Sequence, residues 1–341
     1  MSKKRDTNIE FIRAISMFLV IGVHVAPKPC ERSELFSAIF LAILLTCNSN
    51  FYMLSGQLNL KKSFETSLEY RNYYIKRFVT IIFPYATITV ASILYEAWLN
   101  KERLGMRVLG DRTLRALMST NAEIHFWFMY PLIGFIACAP FLAKMLNKMK
   151  DFEVNILFWL VIIWNAIFVY IGTDLGYGFC YSGCLFSGTT VVCFLGYYSE
   201  RMINENNKKK WYLLGVIGFV IGIICRLNIP DRYQYANDLA TTYLFFSMGV
   251  YTFLRREIRI SNIILQKIIS VLSKHAFTVY MVHWTVLRYI SPKYVVFTGS
   301  NTRYFCTMVL VTFLISFVIA VAFDDLIFIP IQKLSTKKLE K

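Results

Sequence analysis

Apolar residues in this chain come in long runs rather than in the two-residue alternation of a half-buried strand. Ten such runs stand out, at about 9–27, 36–58, 78–98, 125–146, 153–172, 179–198, 211–228, 238–254, 276–291 and 304–330. A helix needs roughly 20 apolar residues to cross a hydrocarbon core of about 30 Å, and most of the runs come close to that length. Lipid offers backbone groups no partners, so helices are the default spanning structure, and the short alternating segments of a barrel are absent. The pattern predicts an all-α fold, a polytopic transmembrane helical bundle of about ten spans. The first run does not read as a cleavable leader, because Arg13 interrupts it and no small-residue cleavage site follows. Without an internal repeat, low-complexity tract or Pro/Gly linker, the chain is expected to form a single membrane domain over residues 1–341.

Composition agrees with a membrane protein. Hydrophobic residues make up 56% of the chain, charged ones 17% and aromatics 16%, too little polarity to cover a soluble domain of 341 residues. The formal charge of +16 would suit nucleic acid, but the 37 basic residues concentrate in alternate loops. With both termini cytoplasmic, the inner side holds roughly twice as many Lys and Arg as the outer, which is the positive-inside rule, and no nucleic-acid partner is expected. The long loop after the third span carries Lys101, Arg103, Arg107, Arg112 and Arg115 on the outer side; it reads as a solvated loop, or else as a mildly amphipathic stretch that lies along the outer surface or meets an anionic ligand. The eight cysteines are scattered and form no C-x-x-C. Cys180 and Cys184 lie one helical turn apart, poorly placed for a disulfide, so they read as small apolar fillers and no metal is expected.

Several chemistries are missing from the sequence. It has no phosphate-binding G-x-x-x-x-G-K-[ST] loop, no H-E-x-x-H and no G-x-S-x-G elbow. The His-x4-Asp motif of glycerolipid acyltransferases is absent too, since Pro29, Tyr130, Tyr280 and Arg288 stand five residues after the four histidines. What remains is a set of ionisable residues in or beside the spans, where a charge costs about 2.5–3.5 kcal/mol at the helix centre on insertion scales. Arg13 and His24 are eleven residues apart, so at ~100° per residue they share one face of the first helix, about 16 Å apart along it. That face looks into the bundle or a wet cavity; alternatively, Arg13 snorkels to the headgroups near Glu10 while His24 bonds at the interface.

His125, Trp127 and Phe128 open the fourth span, either as an interfacial aromatic belt or as a binding surface with a histidine beside it. Tyr280 and His283 are helix neighbours, suited to a structural bond or a substrate contact. His275 falls in the basic flank before that span and is expected to be solvated. Asp324 and Asp325, inside the last span, need cations or water, with Arg13 or Arg77 as the natural partners for a structural ion pair.

Five segments in order carry a resemblance. "RAISMFLVIGVH" resembles the Arg/Lys-x10-His signature of the first helix in the acyltransferase-3 family of bacterial membrane acyltransferases. "FYMLSGQL" resembles its Phe-rich Ser-Gly segment, "YYIKRFVTIIFPY" its basic start of helix three followed by Pro, "HFWFMYPLIGFIACAP" its His-x-Trp-Phe opening of helix four, and "SKHAFTVYMVH" its Tyr-x-x-His helix. Thr80 stands where members often carry a second Arg, which leaves contacts assigned to that Arg to Lys76 or Arg71.

The resemblance implies an enzyme of the bacterial cytoplasmic membrane. It would move an acyl group, usually acetyl, from cytoplasmic acyl-CoA to a hydroxyl on an extracytoplasmic glycan or lipid-linked sugar, with no permanently bound cofactor. His24 then serves as base or transient acyl carrier, since imidazole titrates near neutral pH. Arg13, Lys76 and Arg77 are expected to hold the CoA phosphates, and His125, Trp127, Phe128, Tyr280 and His283 to line the acceptor. A transporter of glycan or lipid is the competing expectation; it would favour internal repeats, which the chain lacks.

Overall fold

The computed structural model describes residues 6–26, 34–118, 123–167, 188–228, 240–294 and 301–339. The expectations for Cys180 and Cys184, and for the parts of the predicted spans at 168–172, 179–187 and 238–239, lie outside these residues. Among the described residues every regular element is helical. In chain order they are α1 (Thr7–Val25), α2 (Glu34–Leu60), α3 (Ser67–Arg77), α4 (Phe83–Leu99), α5 (Met106–Met118), α6 (Met129–Lys148), α7 (Asp151–Ala166), α8 (Thr189–Met202), α9 (Lys208–Asn228), α10 (Thr241–Arg256), α11 (Ile263–Tyr294), α12 (Asn301–Phe323) and α13 (Ile329–Leu339). A π-helical stretch, Phe78–Ile82, joins α3 to α4, a second, Asp324–Phe328, joins α12 to α13, and a 3-10 turn, Ile124–Phe128, leads into α6.

Among the described residues six helices are long and apolar enough to cross a membrane: Thr7–Val25, Leu35–Leu60, Ser67–Leu99, Ile124–Lys148, Lys208–Asn228 and Arg303–Ser335. They coincide with six of the ten predicted runs. The remaining four overlap α7, α8, α10 and α11. The first three of these are 16, 14 and 16 residues long, short of a full crossing within the described chain. α11 is 32 residues long but mixes His, Lys, Arg and hydroxyl side chains into its apolar run.

Local sequence explains the helix ends. The Asp6 carboxylate caps α1 by accepting from the backbone N–H groups of Asn8 (3.0 Å) and Ile9 (3.3 Å). Thr66 and Glu69 form a reciprocal capping box that starts α3. The middle of the loop after the third span is the helix α5, most of whose residues are exposed. Its less exposed Leu109, Thr113 and Ala116 recur every three or four residues, and Tyr130 ties it down by donating to the Ala116 carbonyl. Two of its five cations are neutralised locally: Arg112 binds Glu102, whose carboxyl is held below its usual range by that hydrogen bond, and Arg115 binds Asp111.

The chain divides into two compact units, residues 1–64 with 138–274 and residues 65–137 with 275–341. In the first, α2 lies directly against α8 through glycine. A Cβ built on Gly56 would stand 1.7 Å from the Cys193 carbonyl oxygen, and one on Gly196 2.0 Å from that of Met53. α9 and α10 touch in the same way at Gly215 and Gly249. Such close backbone contact is how helices associate where lipid removes the hydrophobic drive, and it gives the Gly of "FYMLSGQL" a packing role. In the second unit the start of α4 meets the second π-helical stretch through an edge-on contact of the Phe83 and Phe328 rings.

Candidate functional site

In the first unit, α1 runs unbroken through both of its ionisable residues. Ile12, Ser16, Met17, Val20, Ile21 and Val25 are buried, while Arg13 and His24 are half-buried. The continuous helix keeps them on one side, three turns apart, as their spacing requires. The start of α1 is anchored on α10: the Asn8 amide donates to the Arg255 carbonyl (2.9 Å), and the Arg255 guanidinium pairs with Asp6 (3.1 Å) and Glu200 (3.3 Å). Farther along, Tyr251 of α10 donates its hydroxyl to the Gln57 side-chain carbonyl on α2. A cavity of about 270 Å³ opens beside Gln57, lined also by Lys61, Asn147, Tyr197, Glu200 and Arg201.

The second unit is organised around α11 from His275 onward, which is buried on nearly every side through Leu287. Three polar clusters lie along it. At its inner end in sequence, the His275 imidazole donates through Nδ1 to Asp324 (2.6 Å) and the Thr278 hydroxyl to the other oxygen of the same carboxylate (2.7 Å). His275 is only 3% exposed, which corrects the expectation that it is solvated. The reason is the π-helical turn at Asp324, whose widened backbone carries the carboxylate onto α11, while the neighbouring Asp325 stays exposed. His275 and Thr278 are partners of Asp324 that the sequence pattern does not indicate.

Two turns farther on, His125, Tyr280 and His283 form the second cluster. Tyr280 donates its hydroxyl to the His125 backbone carbonyl, His125 Nε2 donates to the Met281 carbonyl (3.2 Å), and His283 Nδ1 donates to the Tyr280 carbonyl (2.6 Å). The two imidazole rings stand 4.7 Å apart, centre to centre. Each carbonyl assigns the proton to one ring nitrogen, which makes the other nitrogen the basic atom of a neutral ring. Phe128 is buried against Tyr280, whereas Trp127 is 40% exposed. The predicted set of five therefore splits, with His125, Phe128, Tyr280 and His283 brought together and Trp127 turned outward.

The third cluster was missed by the sequence reading. The Glu123 side chain is 1% exposed, yet it carries a carboxylate held by the Thr285 hydroxyl (2.7 Å) and the Arg288 guanidinium (3.1 Å). Burial pushes this carboxyl above the usual range, opposed by the Thr285 hydrogen bond and the Arg288 charge. A signal for it existed: Thr285 and Arg288 share a helix face near the end of a span, and Glu123 stands two residues before His125. Together these bonds latch the His125 turn onto α11.

Lys76 is exposed and Arg77 half-buried at the end of α3, where the Arg77 guanidinium lies 5.4 Å over the Tyr73 ring. Thr80, in place of a second Arg, donates its hydroxyl to the Lys76 carbonyl (2.8 Å), an acceptor whose helical bond the π-helical register disturbs. Among the described residues no group of His, Cys, Asp and Glu is arranged to hold a metal ion.

No curated protein and no solved structure matches the chain. A family profile described as "Acyltransferase domain" does match it, over residues 6–321. That span includes the α1 stripe, the first π-helical stretch and the clusters around His125 and Glu123, and it stops short of Asp324 and the second π-helical stretch. The chain therefore belongs to this acyltransferase domain family.

Proposed function

We propose that this membrane acyltransferase moves a short acyl group, acetyl in the simplest case, from acyl-CoA on the cytoplasmic side to a hydroxyl of an extracytoplasmic glycan or lipid-linked sugar in a bacterial cytoplasmic membrane. The observation that carries the reading is the pairing of a family match over nearly the whole chain with an unbroken α1 that holds Arg13 and His24 half-buried on one side. Ester formation needs the acceptor's hydroxyl proton removed as the oxygen attacks. His24 is assigned one of two roles: base that takes this proton while the hydroxyl attacks the thioester and CoA leaves as thiol, or carrier that takes the acyl group from the thioester with release of CoA and passes it to the hydroxyl, whose proton returns to the departing imidazole. Arg13 is assigned a phosphate of the donor, because a guanidinium meets phosphate oxygens with paired, charge-assisted bonds. Lys76 and Arg77 keep a phosphate-binding role that suits their charge. His125, Phe128, Tyr280 and His283 are assigned to the acceptor, with aromatic faces for a sugar ring and imidazoles for its hydroxyls. Both termini are placed in the cytoplasm by the loop charges.

Compositional analysis of the surface glycan tests this reading. Cells carrying the intact chain should show an ester-linked acyl group that His24→Ala and Arg13→Ala cells lack, at equal amounts of membrane-inserted protein. An unchanged acyl pattern with less glycan at the surface would instead make the chain a transporter and overturn the proposal.

A further inference from the structure

The core of the first unit keeps polar atoms that its own side chains leave unmatched. Ser16 on α1, Asn50 and Gln57 on α2, and Ser247 on α10 are each 0% exposed. Among the described residues, the hydroxyls of Ser16 and Ser247, both ends of the Asn50 amide and the Gln57 Nε2 have no hydrogen-bond partner. Hydroxyls in such helices have an internal solution, bonding back one turn to a carbonyl. Thr46 takes it with Ile43 (2.7 Å) and Ser55 with Phe51 (2.9 Å). Ser16 and Ser247 do not.

Three contacts set these residues at one level. Asn8 at the start of α1 touches Arg255 near the end of α10, and Ser16 and Ser247 each stand eight residues, about 12 Å along their own helices, from that contact. Tyr243 bonds the Ala42 carbonyl and Tyr251 bonds Gln57, and these two contacts between α10 and α2 bracket Ser247 on one helix and Asn50 on the other. Asn50 and Gln57 are two turns apart on one face of α2.

A buried amide or hydroxyl left unpaired costs about 1–3 kcal/mol, and a cluster of them marks a place for a polar guest. The set carries no charge. It offers N–H donors from Asn50 and Gln57, a carbonyl acceptor from Asn50, and two hydroxyls that can do either. A secondary amide presents the complementary donor and acceptor. At one end, the cavity of about 270 Å³ adjoins Gln57 and the exposed Lys61. At the other, His24 lies eight residues, about 12 Å, beyond Ser16 on α1.

We infer that Ser16, Asn50, Gln57 and Ser247 bind the amide-bearing pantetheine arm of the acyl-CoA donor, between the cavity beside Lys61 and the His24 imidazole. The inference rests on the donor reading proposed above and adds the groups that recognise the uncharged part of that donor. It requires no covalent step of its own.

The test measures binding to the purified full-length chain in lipid nanodiscs with three probes: CoA, pantetheine, and adenosine 3′,5′-bisphosphate, which lacks the arm. Asn50→Leu keeps the volume and removes the amide. It should weaken CoA and pantetheine at least about tenfold and leave the bisphosphate within about twofold. Ser247→Ala, a change any helix tolerates, should shift the same two probes in the same direction by about three- to fivefold. CoA and pantetheine binding unchanged in both variants would mean that water fills the set, and equal weakening of all three probes would mean general damage; either result overturns the inference while the donor reading stands. Failure of the wild-type chain to bind CoA at all would remove the donor reading and this inference together.

Discussion

α1 and the second half of α11 both place ionisable side chains in apolar helices, but they treat them differently. On α1, Arg13 and His24 are half-buried three turns apart, and the helix around them is continuous and conventionally capped. On α11, His275 and His283 are almost wholly buried, and named partners hold each of them: Asp324 for His275, and a backbone carbonyl for His283. The difference separates two uses of expensive polarity. A buried carboxylate or imidazole in a closed set of hydrogen bonds mainly specifies how helices pack, and losing one partner strands the other. Arg13 and His24, to which the donor and base roles are assigned, are the residues whose loss should be felt in the reaction. Substitutions of Arg13 and His24 should therefore act on turnover, and those that open the His275–Asp324–Thr278 set should act first on folding.

The sharpest break of this comparison is His24→Ala. Loss of a positioned proton acceptor should lower acyl transfer by about 10²–10⁴-fold, with the thermal unfolding of the detergent-solubilised protein nearly unchanged. A large drop in stability with modest loss of turnover would place His24 among the structural histidines. Next, Asp324→Ala removes the acceptor shared by His275 and Thr278, and chemical denaturation should register a loss of about 3 kcal/mol. Wild-type stability in that variant would show that the buried set is not holding α11.

Gly56→Ala gives a packing lesion of known cause for scale. Its Cβ would stand 1.7 Å from the Cys193 carbonyl oxygen, so α2 and α8 must move apart, at about 1–3 kcal/mol in the same assay. The smallest effect is expected from Glu123→Gln. Burial raises the Glu123 carboxyl, so the fold favours its neutral form. The stability this contributes is fully present below the unfolded value, about 4.3, and is lost as pH rises through the higher folded value. From about pH 4.5 toward neutrality the wild type should thus lose ground to Glu123→Gln, by roughly 1 kcal/mol at most. Parallel pH curves for the two proteins would show that Thr285 and Arg288 fully offset the burial.

Sequence alone determined what depends on periodicity and on solvation by lipid. Long apolar runs could only be helices, and six of them emerge as helices of crossing length. The eleven-residue spacing put Arg13 and His24 on one side of α1 because a continuous helix leaves no other choice, and the ordered motifs identified the family that the match over residues 6–321 establishes. Tertiary structure alone decided which polar groups meet. Asp324 reaches His275 from 49 positions away and Glu123 reaches Thr285 from 162, and no local pattern encodes such pairings. It also decided that His275 is buried rather than solvated, because a π-helical turn, a change of register invisible in the residue pattern, carries a carboxylate to it. Hydrogen bonds close over a few ångströms in space, whereas sequence records only distance along the chain.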